Sequence, residues 1–297
     1  HSTCVRILRR FIDRLGYGNS FTIYDAEDQK SVMKDVCKRL QVDTKIHKER
    51  NFLAAISAAK DNLISPEEFT RKAMGDFALE RQAAVYREYQ SVLQKSNALD
   101  FDDLIVKTVE LFEAVPEVLH NYQERFRYLM VDEYQDTNTA QFRLIELLAG
   151  KYRNLCVVGD DDQAIYKFRG ANIQNILSFE EVYPNAKVIK LEQNYRSTQK
   201  ILDAANGVIS HNSARKDKSL WTENAEGSAI DFRQLDTAYE EADYIVKDIE
   251  GKVGSGKCSY GDCAVLYRTN AQSRLLEERL VVANMPYRIV GGVNFYA

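Results

Sequence analysis

The stretch VVGDDDQAIYKFRGA, from Val157 to Ala171, ends an apolar run in three consecutive aspartates and then sets Gln163, Tyr166, Phe168 and Arg169 close together. Adjacent carboxylates repel one another unless water or cations screen them. A second acidic knot, VDEYQDTN from Val131 to Asn138, also follows an apolar run. Around the two knots, apolar stretches alternate with amphipathic ones. RYLMVD is followed by TAQFRLIELLAG, LCVVGD by IQNILSFEEV, and KVIKLEQ by STQKILDAANGVI. The alternation continues through SAIDFRQL, EEADYIVKDIEGK, CAVLYRT, AQSRLLEERLVVAN and YRIVGG. Strands alternating with helices predict a parallel sheet covered on both faces. In such sheets the chemistry lies outside the carboxyl ends of the strands, where both knots fall.

The segment from Asp25 to about Phe112 reads differently, as almost wholly helical. DAEDQKSVMKDVCKRLQ has an acidic first turn, a basic end and apolar residues at helical spacing. SPEEF, at 65–69, offers a Ser cap, Pro at the first helical position and Glu at the third, and predicts a helix running past Tyr89. The chain is thus expected to be α/β material carrying a helical insertion.

At 297 residues, 45% hydrophobic and 28% charged, the composition is that of a globular protein with a sizeable core. No apolar run approaches the ~20 residues of a membrane helix, so no membrane partner is expected. Five cysteines in no C-x-x-C pair suit reduced thiols in a cytoplasmic protein, and the four histidines form no ligand cluster. A net charge of −4 excludes a surface coated in positive charge but not a local nucleic-acid groove.

Asp132 and Glu133 close the first strand. A carboxylate there can hold hydrated Mg²⁺ while its neighbour orients or deprotonates a water. Read alone, the pair also serves as a helix cap. Gln163, a neutral amide after the second strand, can sense a phosphate oxygen or a water. Tyr166 and Phe168 share one side of an extended segment and could stack on bases, or simply fill a core. In LEQNYRST, from Leu191 to Thr198, Arg196 stands between a strand and a helix, where a guanidinium can reach a γ-phosphate or pair with a carboxylate. Tyr195 could stack on a nucleobase.

In these motifs the chain resembles the UvrD/Rep/PcrA-type DNA helicases, superfamily 1A motors that translocate 3′ to 5′. HSTCVRILRR resembles the family's motif Ib, ALDFDDL the return from its helical 1B insertion, VDEYQDTN motif II, VGDDDQAIYKFRGA motif III and LEQNYRST motif IV. YRIVGGVNFY resembles the segment before its 2B insertion. The resemblance implies RecA-like P-loop NTPase domains with ATP and Mg²⁺ as cofactors. It also implies single-stranded DNA and single/double-strand junctions as partners, and work among repair or replication proteins. By the same implication Asp132 binds Mg²⁺, Glu133 is the base for the attacking water, and Gln135 joins the phosphate-and-metal network. Gln163 couples the γ-phosphate to the DNA site, Tyr166 and Phe168 stack on bases, and Arg169 helps bind phosphate. Tyr195 stacks on adenine, Arg196 is an arginine finger, and His1 touches the strand. Phe168 stands where the family has tryptophan, and Lys167 where it has arginine.

The implied domains are a partial 1A at 1–20 and 115–190, a helical 1B at 21–114 and a partial 2A at 191–297. The phosphate loop G-x-x-x-x-G-K-[ST] does not occur. GKVGSGKC, at 251–258, lacks the final hydroxyl and leads from a helix into a strand, the reverse of a phosphate loop, and reads as a surface turn. The family's phosphate loop is expected upstream of His1 and its second arginine finger downstream of Ala297. The chain alone is therefore expected to be inactive. Three other readings remain: a Mg²⁺-dependent nuclease or phosphohydrolase built on the aspartates, a non-enzymatic DNA-binding module, and a RecB-like helicase–nuclease. KIHKER, at 45–50, could touch duplex DNA or be a solvated helix end. DFDD, at 100–103, could be catalytic, but helix capping and packing account for it.

Overall fold

The computed structural model describes residues 1–213 and 215–291. They form two compact units, one of His1–Ser197 with Leu202–Asn224, the other of Thr198–Ile201 with the residues from Ala225 onward.

The first unit has two apolar cores. Helix α1 (Ser2–Phe11) buries Cys4, Ile7 and Leu8 against α6 (Phe101–Ala114), which packs in turn on α7 (Pro116–Arg125) and α8 (Thr139–Ala149). The second core is helical. It joins Met33, Val36 and Cys37 of α2 (Ala26–Arg39) to Phe52 and Ile56 of α3 (Glu49–Asp61) and to Val85, Tyr86, Tyr89 and Leu93 of α5 (Phe77–Lys95). Two short parallel strands close the base of this helical segment: β1 (Thr22–Ile23) pairs with β2 (Ala98–Leu99), Thr22 opposite Ala98.

Local chemistry explains most of the boundaries. Asp25 caps α2 by accepting the N–H groups of Glu27 and Asp28. Ser65 caps α4 (Pro66–Ala73). The helix expected to run on past Tyr89 stops instead at Ala73. Gly75 takes a left-handed φ of +89°, and Asp76 caps a fresh helix, α5, by accepting the N–H groups of Ala78 and Leu79. Asp100 and Asp103 form a reciprocal capping box at α6 and share the buried ammonium of Lys60, at 2.6 and 2.8 Å. Burial opposes the charge on Lys60, yet its two carboxylates raise its pKa above the ordinary lysine value. Lys48 of KIHKER is the N-cap of α3.

Strands β3 (Leu129–Val131) and β4 (Leu155–Val157) pair in parallel, with Leu129, Met130 and Val131 opposite Leu155, Cys156 and Val157. Helix α8 connects them. The expected double covering is not seen among the described residues: Met130 is 85% exposed, and Cys156 beside it is also exposed. The stretch 174–182 bends into two short helices, α9 (Gln174–Leu177) and α10 (Phe179–Val182), rather than one. The strands expected near 187–193, 228–235, 263–269 and 287–291 form no ladder among the described residues. One isolated bridge joins Gln193 to Trp221. A strand needs a hydrogen-bonded neighbour, and these segments leave Leu191, Phe232, Leu266 and Val290 exposed. The segment YRIVGGVNFY passes beyond the described residues after Gly291.

In α11 (Gln199–Ile209), Leu202 is buried. The second unit is built on α12 (Ala238–Gly254) and α13 (Ser273–Val282), joined by the Arg279–Asp243 ion pair. The stretch 251–258 is the end of α12 and a turn through Gly256 at φ +72°, with Cys258 Sγ 3.8 Å from Cys263 Sγ. No described helix is long and apolar enough to cross a membrane.

Candidate nucleotide and DNA site

Both acidic knots lie at the carboxyl ends of β3 and β4. The turn after β3 is tight. The Val158 N–H donates to Val131 O and the Tyr134 N–H to Val158 O, so the two strand ends are stitched together. To make that turn Glu133 adopts φ +51°, ψ +42°, a left-handed conformation that costs a non-glycine residue about 1 kcal/mol. Asp132 Oδ1 accepts the Glu133 N–H at 2.9 Å. Both carboxylates are exposed, while Tyr134 and Gln135 are buried, Tyr134 edge-on against Phe179.

Gln135 joins the knots. Its Nε2 donates to Glu133 Oε2 at 2.7 Å, and its Oε1 accepts the Asp160 N–H at 3.0 Å. The approach requires glycine at 159, where a Cβ would stand 2.6 Å from Gln135 Oε1. Asp160 Oδ2 then accepts Gln163 Nε2 at 2.7 Å. One hydrogen-bonded path thus runs from Glu133 through Gln135 and Asp160 to Gln163.

The three aspartates have cationic partners that inspection of the sequence did not find. Lys218 Nζ lies 2.8 Å from Asp160 Oδ1 and 3.2 Å from Asp162 Oδ2, and also reaches Asp161. Arg215 grips Asp162 with two bonds, of 2.9 and 2.7 Å. Asp161 Oδ2 accepts the Lys216 N–H. Burial opposes ionisation of Asp160, but Lys218 and Gln163 hold its carboxyl below the usual range, and Arg215 does the same for Asp162. The signal was the basic run RKDK at 215–218, more than fifty residues downstream.

Tyr166 and Phe168 present their rings 5.9 Å apart, and the Arg169 guanidinium covers both, at 5.2 and 5.6 Å. Phe168 is 78% exposed, so it is not core. Behind this loop Gly170, at φ +84°, abuts Asp61 of α3, whose carboxylate accepts Asn138 Nδ2 at 2.5 Å. Burial and the nearby Asp102 push Asp61 up to about 6.

The NYRST turn is held by Asn194, whose Oδ1 accepts the N–H groups of Arg196 and Ser197. Tyr195 and Arg196 are exposed, and the Tyr195 hydroxyl donates to Gln193. No hydrogen bond or ion pair among the described residues joins this turn directly to Asp132 or Glu133. His1 sits at the start of α1, its ring edge-on to Phe101 at 6.1 Å. Apart from it, the residues singled out from the sequence lie on 132–135, 163–169 and 195–196.

Comparison with known proteins decides the family. The UvrD/REP helicase N-terminal domain matches residues 1–184, and the UvrD-like helicase C-terminal domain matches residues 189–297. The chain belongs to the UvrD/Rep helicase family. Membership implies a RecA-like α/β fold, of which β3, α8 and β4 are one parallel crossover unit. Among the family's curated members, the chain is 56% identical to the ATP-dependent DNA helicase PcrA of Staphylococcus epidermidis and 54% identical to that of Staphylococcus aureus. Each match covers 296 residues, 100% of this chain and 40% of the relative. The chain therefore spans about 40% of the length of the curated relatives it matches.

The exposed Asp132 and Glu133 suit Mg²⁺ as hard oxygen donors. That ion commonly takes one or two carboxylates and completes its shell with waters and phosphate oxygens.

Proposed function

We propose that the chain is part of an ATP-dependent DNA helicase that moves 3′ to 5′ along single-stranded DNA. The hydrogen-bonded path from Glu133 to Gln163 supports this reading most directly, because it couples a water-activating carboxylate to the loop bearing the exposed aromatics. Asp132 would hold Mg²⁺, which when bound neutralises charge on the phosphate oxygens. Glu133 takes the proton of the attacking water. Gln135 keeps Glu133 in place, and Gln163 answers to the γ-phosphate. Arg196 stabilises the charge that develops there, and Tyr195 stacks on adenine. Tyr166 and Phe168 stack on bases of the strand, Arg169 binds phosphate beside them, and His1 touches the strand.

The domain plan that goes with this reading is 1A at 1–20 and 115–190, a helical 1B at 21–114 and 2A at 191–297. Junction DNA and repair or replication proteins are the partners it implies. With no phosphate loop in its sequence, the chain alone should not turn over ATP.

The test is ATP hydrolysis with and without single-stranded DNA, on this chain and on a chain extended to the length of its relatives. DNA-stimulated turnover by the extended chain, abolished by Glu133→Gln, supports the reading. Robust turnover by the short chain would overturn the expected inactivity. Mg²⁺-dependent DNA cutting without ATP would favour the nuclease reading.

A further inference from the structure

The segment 215–224 is bound on two sides. On one side Lys218 and Arg215 neutralise Asp160, Asp161 and Asp162. On the other, Glu192 Oε1 accepts the Ser219 N–H, Glu192 O accepts the Trp221 N–H at 3.0 Å, and the Asn194 N–H donates to Trp221 O at 2.7 Å. Asn224 Nδ2 adds bonds to the carbonyls of Tyr195 and Ser197. One strap therefore touches both the loop that carries Gln163 and the turn that carries Arg196.

We propose that Lys218, assisted by Arg215, is a positioning residue that fixes Gln163 through Asp160 and holds that loop in register with the Arg196 turn. Asp160 is the pivot. Its Oδ1 takes Lys218 and also the Asp162 N–H at 3.1 Å, its Oδ2 takes Gln163 and its N–H is held by Gln135. Without the lysine, Asp160 and Asp161 lose the cation they share, while Arg215 still holds Asp162. Asp160 can then turn away, and the Gln163 amide loses the acceptor that aims it. Lys218 is itself only 17% exposed, so its charge is little screened by solvent. The inference rests on the helicase reading for its catalytic consequence, and on geometry alone for the clamp.

Two measurements test it. In the extended protein, Lys218→Met should lower the DNA-stimulated kcat about tenfold, as loss of a charge-assisted bond does, with the KM for ATP within about twofold. Lys218→Arg should recover most of that loss, and Lys218→Met should add nothing further in a Gln163→Ala background. In the chain itself, Trp221 is the sole tryptophan and reports the strap directly. Lys218→Met and Asp160→Asn should shift its emission alike, with far-ultraviolet circular dichroism unchanged. Unchanged kcat, or losses that multiply with Gln163→Ala, overturn the positioning role. Unchanged emission overturns the clamp. If the unsubstituted extended protein shows no DNA-stimulated turnover, the helicase reading falls and the emission of Trp221 alone decides the clamp.

Discussion

The side-chain carbonyl of Gln135 accepts the backbone N–H of Asp160 at 3.0 Å, across the ends of two paired strands. The same amide donates to Glu133. Gln135→Leu keeps the volume and removes both bonds, leaving a main-chain donor without its partner. Unfolding in urea should show a loss of about 1–3 kcal/mol. Gly159→Ala should act in the same direction, since its methyl would press on that carbonyl.

Phe168→Ala should weaken single-stranded DNA binding by about 1–3 kcal/mol, the usual worth of one stacked base. Phe168→Trp should strengthen it by enlarging the stacking face. Fluorescence anisotropy with a labelled oligothymidine reads both. An unchanged dissociation constant for the alanine variant would remove Phe168 from the interface.

Asp61 carries a pH dependence of definite sign. Unfolded, an aspartate loses its proton near pH 4; folded, Asp61 keeps its proton to about 6. Between those values the folded state binds more protons, so stability falls as pH rises from about 4 to 6 and stays lower above. Asp61→Asn removes the charge while keeping an acceptor for Asn138. It should be the more stable form at pH 7.5, by about 1 kcal/mol after allowance for partial exposure, and no more stable near pH 4. Denaturation midpoints at the two pH values decide this.

Lys60→Met should cost about 3–5 kcal/mol, because it strands Asp100 and Asp103 in the interior. Adding Asp100→Asn and Asp103→Asn should recover part of that loss. Burial and the adjacent Asp103 already push Asp100 up to about 6 against the pull of Lys60, so removing Lys60 raises it further and the single variant should lose stability as pH rises.

The caps at Ser65 and Asp100 were legible because a cap is written within four residues. The break at Gly75 was equally local, yet the strong start at Ser65 hid it. Strands β3 and β4 were legible because their partners stand one helix apart. The later apolar segments have strand-like composition, but composition names no partner, and without one they form no ladder. At the site, Asp132, Glu133 and Gln163 stood out by type and position. The clamp did not, because Arg215 and Lys218 meet the aspartates across more than fifty residues, and charge alone does not specify which cation answers which carboxylate.

Glu133 occupies a backbone conformation that glycine or asparagine would adopt more cheaply. Selection for thermal stability alone would therefore drift toward those residues at 133. The variants it enriched would melt later and have lost the carboxylate proposed to activate water. A library screened for stability in this family should hold that position fixed, since there folding and turnover pull the choice of residue in opposite directions.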